Sequence, residues 1–206
     1  MILREPNSFF SFILASKSPR RADLLREHGY HFKVRVSQAV EHMPCSRTVR
    51  EKVIENARMK GEDVIAELSD QELHTEKPLV LCAADTLVVL GDQVYGKPTS
   101  YSEAKRMLNE LAEKPHLVMT GLFLKLLNGG LEYGGVAETE VTLVKMSDSE
   151  MEALFYKSNP LDKAAGYGFQ DAPEIVSNLK GSKTNVIGLP MELLHKVLRS
   201  WITDMG

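Results

Sequence analysis

Ser18-Pro19-Arg20-Arg21 is the first stretch whose residue types point to chemistry. Ser18 and Pro19 have the form of an N-cap and a first helical residue, because a hydroxyl can accept an orphan N–H and proline lacks one. A helix N-terminus carries about half a positive charge and favours Asp or Glu, yet two arginines stand there. Two guanidinium groups beside uncapped N–H donors are unfavourable alone and favourable around a bound polyanion, for which phosphate is the natural guest. The alternative sends both arginines into solvent. Lys17 and the apolar stretch before it add weight to the anion.

Asp85 is the second such residue. It interrupts Leu81-Cys82-Ala83-Ala84-Asp85-Thr86-Leu87-Val88-Val89, where a carboxylate is costly to bury unless paired, hydrogen-bonded or on a metal. It is a metal ligand or general base, or else a structural carboxylate accepting backbone N–H groups. Further on, Gly96-Lys97-Pro98 puts a lysine in a constrained turn, suited to a phosphate or simply to solvent. In Asp162-Lys163-Ala164-Ala165-Gly166-Tyr167-Gly168-Phe169-Gln170, two glycines permit close backbone approach, and Lys163 and Gln170 offer charge and hydrogen bonds. The spacing is not that of a Walker A loop, and an ordinary glycine-rich loop is the competing reading. The six histidines lack metal-ligand spacing, and no Cys-x-x-Cys pair or Gly-x-Ser-x-Gly elbow occurs, which argues against zinc and against a Ser-His-Asp hydrolase.

The elements that must position these residues follow from the apolar pattern. Phe10 to Ala15 predicts a buried strand, followed by a helix from Ser18 to Gly29. A second helix is expected from Thr48 to about Leu68, with Gly61 as a weak point. Leu79 to Leu90 predicts the most buried strand, ending at a Gly91-Asp92 turn. A helix capped by Ser102 runs through Leu111. Leu117 to Leu127 and Leu131 to Met146 form a hairpin over Asn128-Gly129-Gly130. Ser147-Asp148-Ser149-Glu150 is a capping box for a helix ending at Asn159-Pro160, and a last helix follows Pro190. Gly181 to Asn185 is expected as a polar loop. Helices interleaved with strands give an α/β class with a mixed sheet.

The 206 residues suffice for a real core, and 43 % hydrophobic with 26 % charged residues excludes disordered and coiled-coil classes. A net charge of −3 argues against a surface devoted to nucleic acid. No stretch approaches the roughly 18 to 20 apolar residues needed to span a bilayer. Only Cys45 and Cys82 occur, too few for a disulfide framework, so a cytoplasmic protein without a membrane partner is expected.

In their order, these clusters resemble the Maf family of nucleoside triphosphate pyrophosphatases. The resemblance runs through Ile13-Leu14-Ala15-Ser16-Lys17-Ser18-Pro19-Arg20-Arg21, Ala84-Asp85-Thr86, Gly96-Lys97-Pro98 and His116-Leu117-Val118-Met119-Thr120-Gly121. It continues through Asp162 to Gln170 and Asn185-Val186-Ile187-Gly188-Leu189-Pro190. It implies an α/β fold similar to inosine triphosphate pyrophosphatases: one Maf-like domain over residues 1–206, with a long mixed β-sheet flanked by helices and a cleft between two lobes. It also implies a homodimer that uses Mg²⁺ or Mn²⁺ to split the α–β phosphoanhydride of a nucleoside triphosphate. By position, Ser16, Arg20 and Arg21 match the phosphate-binding loop. Glu41 resembles the acidic residue after the first helix, and Lys60 the lysine of the second. Asp85 matches the general base or, with Glu41, a metal ligand; Lys97 matches the phosphate-facing lysine, and Lys163 and Gln170 the late substrate loop. Arg21 after Pro19-Arg20, together with Gln170, looks more like the dTTP/UTP-preferring branch than the one using 7-methylguanosine triphosphate. The sequence departs from the family pattern at Ala83, at Ala112 to Pro115 and at Lys183-Thr184. From a different class, the alternative is a catalytically weak nucleotide-binding regulator of division or stress.

Overall fold

Strands form where apolar residues run on without a helical period, and the longest such run lies at the middle of the sheet. The computed structural model describes residues 5–39 and 48–205. β1 (Ser11–Ala15) and β3 (Leu79–Leu90) pair in parallel, with Ser11 opposite Leu79 and Leu14 opposite Cys82. β2 (Phe32–Arg35) lies parallel on the other side of β1. β4 (Gln93–Tyr95) turns back antiparallel onto β3 after Gly91, whose φ of 58° suits a residue without a Cβ. β5 (His116–Leu126) and β6 (Glu132–Leu143) are the expected hairpin strands, and β7 (Val176–Lys180) pairs antiparallel with β6. The order β2-β1-β3-β5-β6-β7, with β4 on β3, makes a seven-stranded mixed sheet, as the α/β reading required.

The chain divides into two compact units. The first comprises the residues up to Asp85, Gly121–Ala137 and the residues from Gly188. It holds α1 (Pro6–Phe9), α2 (Pro19–Glu27), α3 (Val49–Ala66), α4 (Asp70–Leu73) and α8 (Met191–Asp204). α3 starts at Thr48, whose hydroxyl and the Glu51 carboxylate satisfy each other's backbone N–H in a capping box. Its buried stripe packs with Ile13, Ala15, Leu81, Ala83 and Phe123. Gly61 is not a weak point. A Cβ there would lie 2.5 Å from the Phe123 ring, and one on Gly121 would lie 2.1 Å from the Val53 carbonyl oxygen. Glycine at both positions brings α3 closer to the sheet than any side chain would allow.

The second unit comprises Thr86–Thr120 and Glu138–Ile187, around a core that includes Val88, Leu108, Leu111, Val118, Val141 and Tyr167. α5 (Tyr101–Leu111) is capped by Ser100, not by the expected Ser102. Ser100 stands three residues before Glu103, the capping spacing, and its Oγ accepts the Glu103 N–H at 3.1 Å. α6 (Asp148–Lys157) begins in the expected capping box of Ser147 and Glu150. The expected polar loop after Gly181 is instead interrupted by a short helix, α7 (Lys183–Ile187), whose Asn185 and Val186 are buried. Among the described residues, no helix is long and apolar enough to cross a membrane.

Candidate active site

In the first unit, the loop between β1 and α2 places Ser16 and the two arginines. Ser18 occupies the N-cap position in extended conformation, but its side chain makes no capping hydrogen bond. Its backbone N–H donates instead to Ser16 Oγ at 3.1 Å. The first turn of α2 contains no acidic residue, so nothing of the helix itself offsets the positive end of its dipole. Arg20 is half-buried in that turn. Arg21 reaches inward: Nε donates to the Gly188 carbonyl at 2.7 Å, and Nη1 to the Ala84 carbonyl at 2.8 Å and to Ser16 Oγ at 3.2 Å. A planar guanidinium with several fixed donors suits such a brace, which locks the loop to the residue preceding Asp85.

Asp85 is 4 % exposed. Lys60 Nζ donates to its Oδ1 at 2.6 Å, and Asn56 Nδ2 to its Oδ2 at 3.0 Å. Asn56 and Lys60 lie four residues apart on α3 and so share one helix face. Burial alone would push the Asp85 carboxyl up, but the Lys60 ammonium, the Asn56 amide and the Arg21 guanidinium outweigh it and hold the group below the usual carboxylate range. The carboxylate is ionised, and its surroundings are cationic.

In the second unit, Ala165 N–H donates to the Gly96 carbonyl at 2.8 Å and ties the Lys97 turn to the Lys163 loop. Lys97 and Gln170 are exposed. Lys163 is buried, and its ammonium donates to the Asn159 carbonyl and to Asp162 Oδ1, both at 2.7 Å, with Asp171 Oδ2 at 3.3 Å. Two carboxylates thus flank its charge. Gly168 makes room for it, since a Cβ there would lie 3.0 Å from Lys163 Cε. Ala165 is fully buried yet left-handed at φ 56°, a strained conformation of the sort that persists where the surroundings impose it. Thr86 and Thr120 hydroxyls meet at 3.0 Å, and Thr120 Oγ1 donates to the Asn185 carbonyl at 3.1 Å.

The sequence-predicted residues therefore fall into two sets, with Ser16, Arg20, Arg21, Lys60 and Asp85 in the first unit and Lys97, Lys163 and Gln170 in the second. Glu41 lies outside the described residues. Sequence reasoning missed Asn56 and Asp171. A signal for Asn56 existed: it is a lone amide on an otherwise apolar helical stripe.

The fold and site define an α/β protein with a buried, ionised carboxylate in cationic surroundings, beside an arginine-bearing helix start. The chain belongs to the Maf family, whose model, described as Maf-like protein, matches residues 11–201. It is 38 % identical to a dTTP/UTP pyrophosphatase of Salinibacter ruber over 94 % of this chain and 92 % of that one. It is 36 % identical to one of Halalkalibacterium halodurans, over 91 % and 94 % of the two chains. The dTTP/UTP pyrophosphatase of Vibrio cholerae is 35 % identical, over 89 % and 96 %. A Ham1 protein of Staphylococcus aureus aligns over 92 % of this chain and 98 % of that one, at 13 % identity and a TM-score of 0.45, a likeness from which no shared chemistry follows.

Proposed function

We propose that the protein, acting as a single Maf-like domain, hydrolyses the α–β phosphoanhydride of dTTP and UTP, releasing the monophosphate and pyrophosphate. The observation that carries this reading is the Asp85 carboxylate, kept ionised by Lys60 and Asn56 beside the arginine-bearing start of α2. The activity named for the relatives supports it. In the reaction, a bond forms between the water oxygen and the α-phosphorus while the bond from that phosphorus to the bridging oxygen breaks. The bridging oxygen leaves with pyrophosphate. Asp85 orients the water and takes its proton. Ser16, Arg20 and Arg21 form the phosphate loop, with Arg21 shaping it through the backbone; Lys97, Lys163 and Gln170 contact the nucleotide.

Asp85 also fits a divalent ion. Mg²⁺ prefers oxygen donors and is commonly held by one or two carboxylates with substrate phosphates. Among the described residues, no group of three or more His, Cys, Asp or Glu side chains could hold a metal unaided. By the family resemblance, Mg²⁺ or Mn²⁺ would rest on Asp85, on Glu41 and on the phosphate oxygens of the substrate. When bound, it would neutralise charge developing on the triphosphate. The family resemblance further supports a homodimer.

Incubation with a panel of triphosphates and Mg²⁺, resolving pyrophosphate from orthophosphate, tests the reading. Monophosphate and pyrophosphate from dTTP and UTP are expected. Orthophosphate with a diphosphate would overturn it, and tight binding without turnover would favour the nucleotide-binding regulator.

A further inference from the structure

Asn56 sits where packing alone calls for an apolar side chain. It shares the buried stripe of α3 with Val53, Ala57 and Val64, and is itself 2 % exposed. A leucine, with the same branched shape and the same number of side-chain heavy atoms, would occupy that position without the cost of taking an amide out of water. The amide instead donates to Asp85 Oδ2, while Lys60, one turn further along, donates to Oδ1. Each oxygen of the carboxylate thus has its own donor, and each keeps a lone pair for another partner.

The two donors are not equivalent. Lys60 carries its ammonium on a flexible four-carbon stem, so it can follow the carboxylate as it turns. The terminal torsion of an aspartate is broad, so one mobile partner does not set the plane of the group. Asn56 reaches its oxygen through only two side-chain torsions from a helix held tightly against the sheet at Gly61 and Gly121. It is the rigid half of the grip.

We propose that Asn56 is a positioning residue that fixes the plane of the Asp85 carboxylate, so that its remaining lone pairs face the attacking water or the divalent ion. This rests on the hydrolysis proposed above. Productive geometry of this sort decides the rate of the chemical step more than the affinity for substrate.

The test is a double-mutant cycle on the full chain with dTTP and Mg²⁺, comparing wild type, Asn56→Leu, Asp85→Asn and the double variant, with single-turnover rates for the slow members. Asn56→Leu is expected to lower kcat about tenfold, with KM and nucleotide affinity within about threefold and Tm within a few degrees of wild type. In the Asp85→Asn background, Asn56→Leu should cost nothing further, because its effect passes through the missing carboxylate. Asn56→Ser, which keeps a short donor, should recover part of the rate, and it serves as the cycle variant if Asn56→Leu does not fold. Unchanged kcat in a folded Asn56→Leu protein, or a full additional loss in the Asp85→Asn background, would overturn the proposal while the hydrolysis reading stands. A wild-type protein that does not hydrolyse dTTP or UTP would end both.

Discussion

Lys60 and Asp85, 25 residues apart in the chain, form a 2.6 Å ion pair with side chains only 15 % and 6 % exposed. Breaking such a pair by removing one partner is costly, because it leaves the other charge buried without compensation. The site chemistry and the packing of α3 against β3 are therefore one feature, and changes at either end should be felt in both.

Asp85→Asn keeps the volume and removes the charge. Turnover should fall by a factor on the order of 10² or more, as for loss of a general base. Thermal stability should also fall, since Lys60 loses its counter-ion. Steady-state kinetics and a melting curve check both, and near-normal turnover in a folded Asp85→Asn protein would remove Asp85 from catalysis.

Arg20 and Arg21 should separate by phenotype. Arg21 holds two backbone carbonyls and Ser16, and each bond from a charged donor contributes about 1.5 to 3 kcal/mol. Arg21→Ala should thus lower the melting temperature clearly, and Arg21→Lys should not restore it, because an ammonium cannot serve three acceptors in one plane. Arg20→Ala should chiefly weaken triphosphate binding. Equal melting shifts in the two variants, or unchanged nucleotide affinity in Arg20→Ala, would contradict this division.

His116 predicts a pH dependence. Its Nδ1 lies 3.0 Å from the Lys114 carbonyl, so Nδ1 carries the proton and Nε2 accepts from the Tyr167 hydroxyl at 2.9 Å. Burial pushes the His116 pKa below its ordinary value, an effect only partly countered by the Lys114 carbonyl. The unfolded chain then binds more protons than the folded one just below the usual histidine value of about 6.5. The contribution of this group is whole above that pH and is lost as pH falls through it toward the lowered folded value. Melting temperatures from pH 8 to pH 5 should show the decline in wild type and a smaller one in His116→Gln. Parallel curves would refute it.

Gly121→Ala should damage the site from a distance. The new methyl would meet the Val53 carbonyl, so α3 must shift, at a cost of about 1 to 3 kcal/mol for overpacking. Asn56 and Lys60 ride on that helix, so kcat should fall together with stability. A destabilised protein with full kcat would show that the helix moves without disturbing Asp85.

The long elements were legible because burial leaves a long imprint. β1 and β3 are nearly unbroken apolar runs, the Asn128-Gly129-Gly130 turn marks the β5–β6 hairpin, and the capping box of α6 announces its start. The short edge strands were not legible: β2 exposes three of four residues and β7 three of five, so their pairing partners, rather than their own pattern, make them strands. The start of α5 was misplaced because Ser100 and Ser102 are both good caps by type, and the spacing to Glu103 decides between them.

From the sequence alone it followed that a carboxylate interrupts a buried strand, that two arginines open a helix, and that cations recur in two later loops. Those statements concern residue type and local period, which burial and helix geometry read directly. Only the tertiary structure decided that Arg21 braces carbonyls 63 and 167 residues away, that Lys163 is matched by Asp171, and that Asn56 meets Asp85. Hydrogen bonds act over about 3 Å, and at that range strand register and helix approach choose the partners. A pattern of types along the chain carries no such distance.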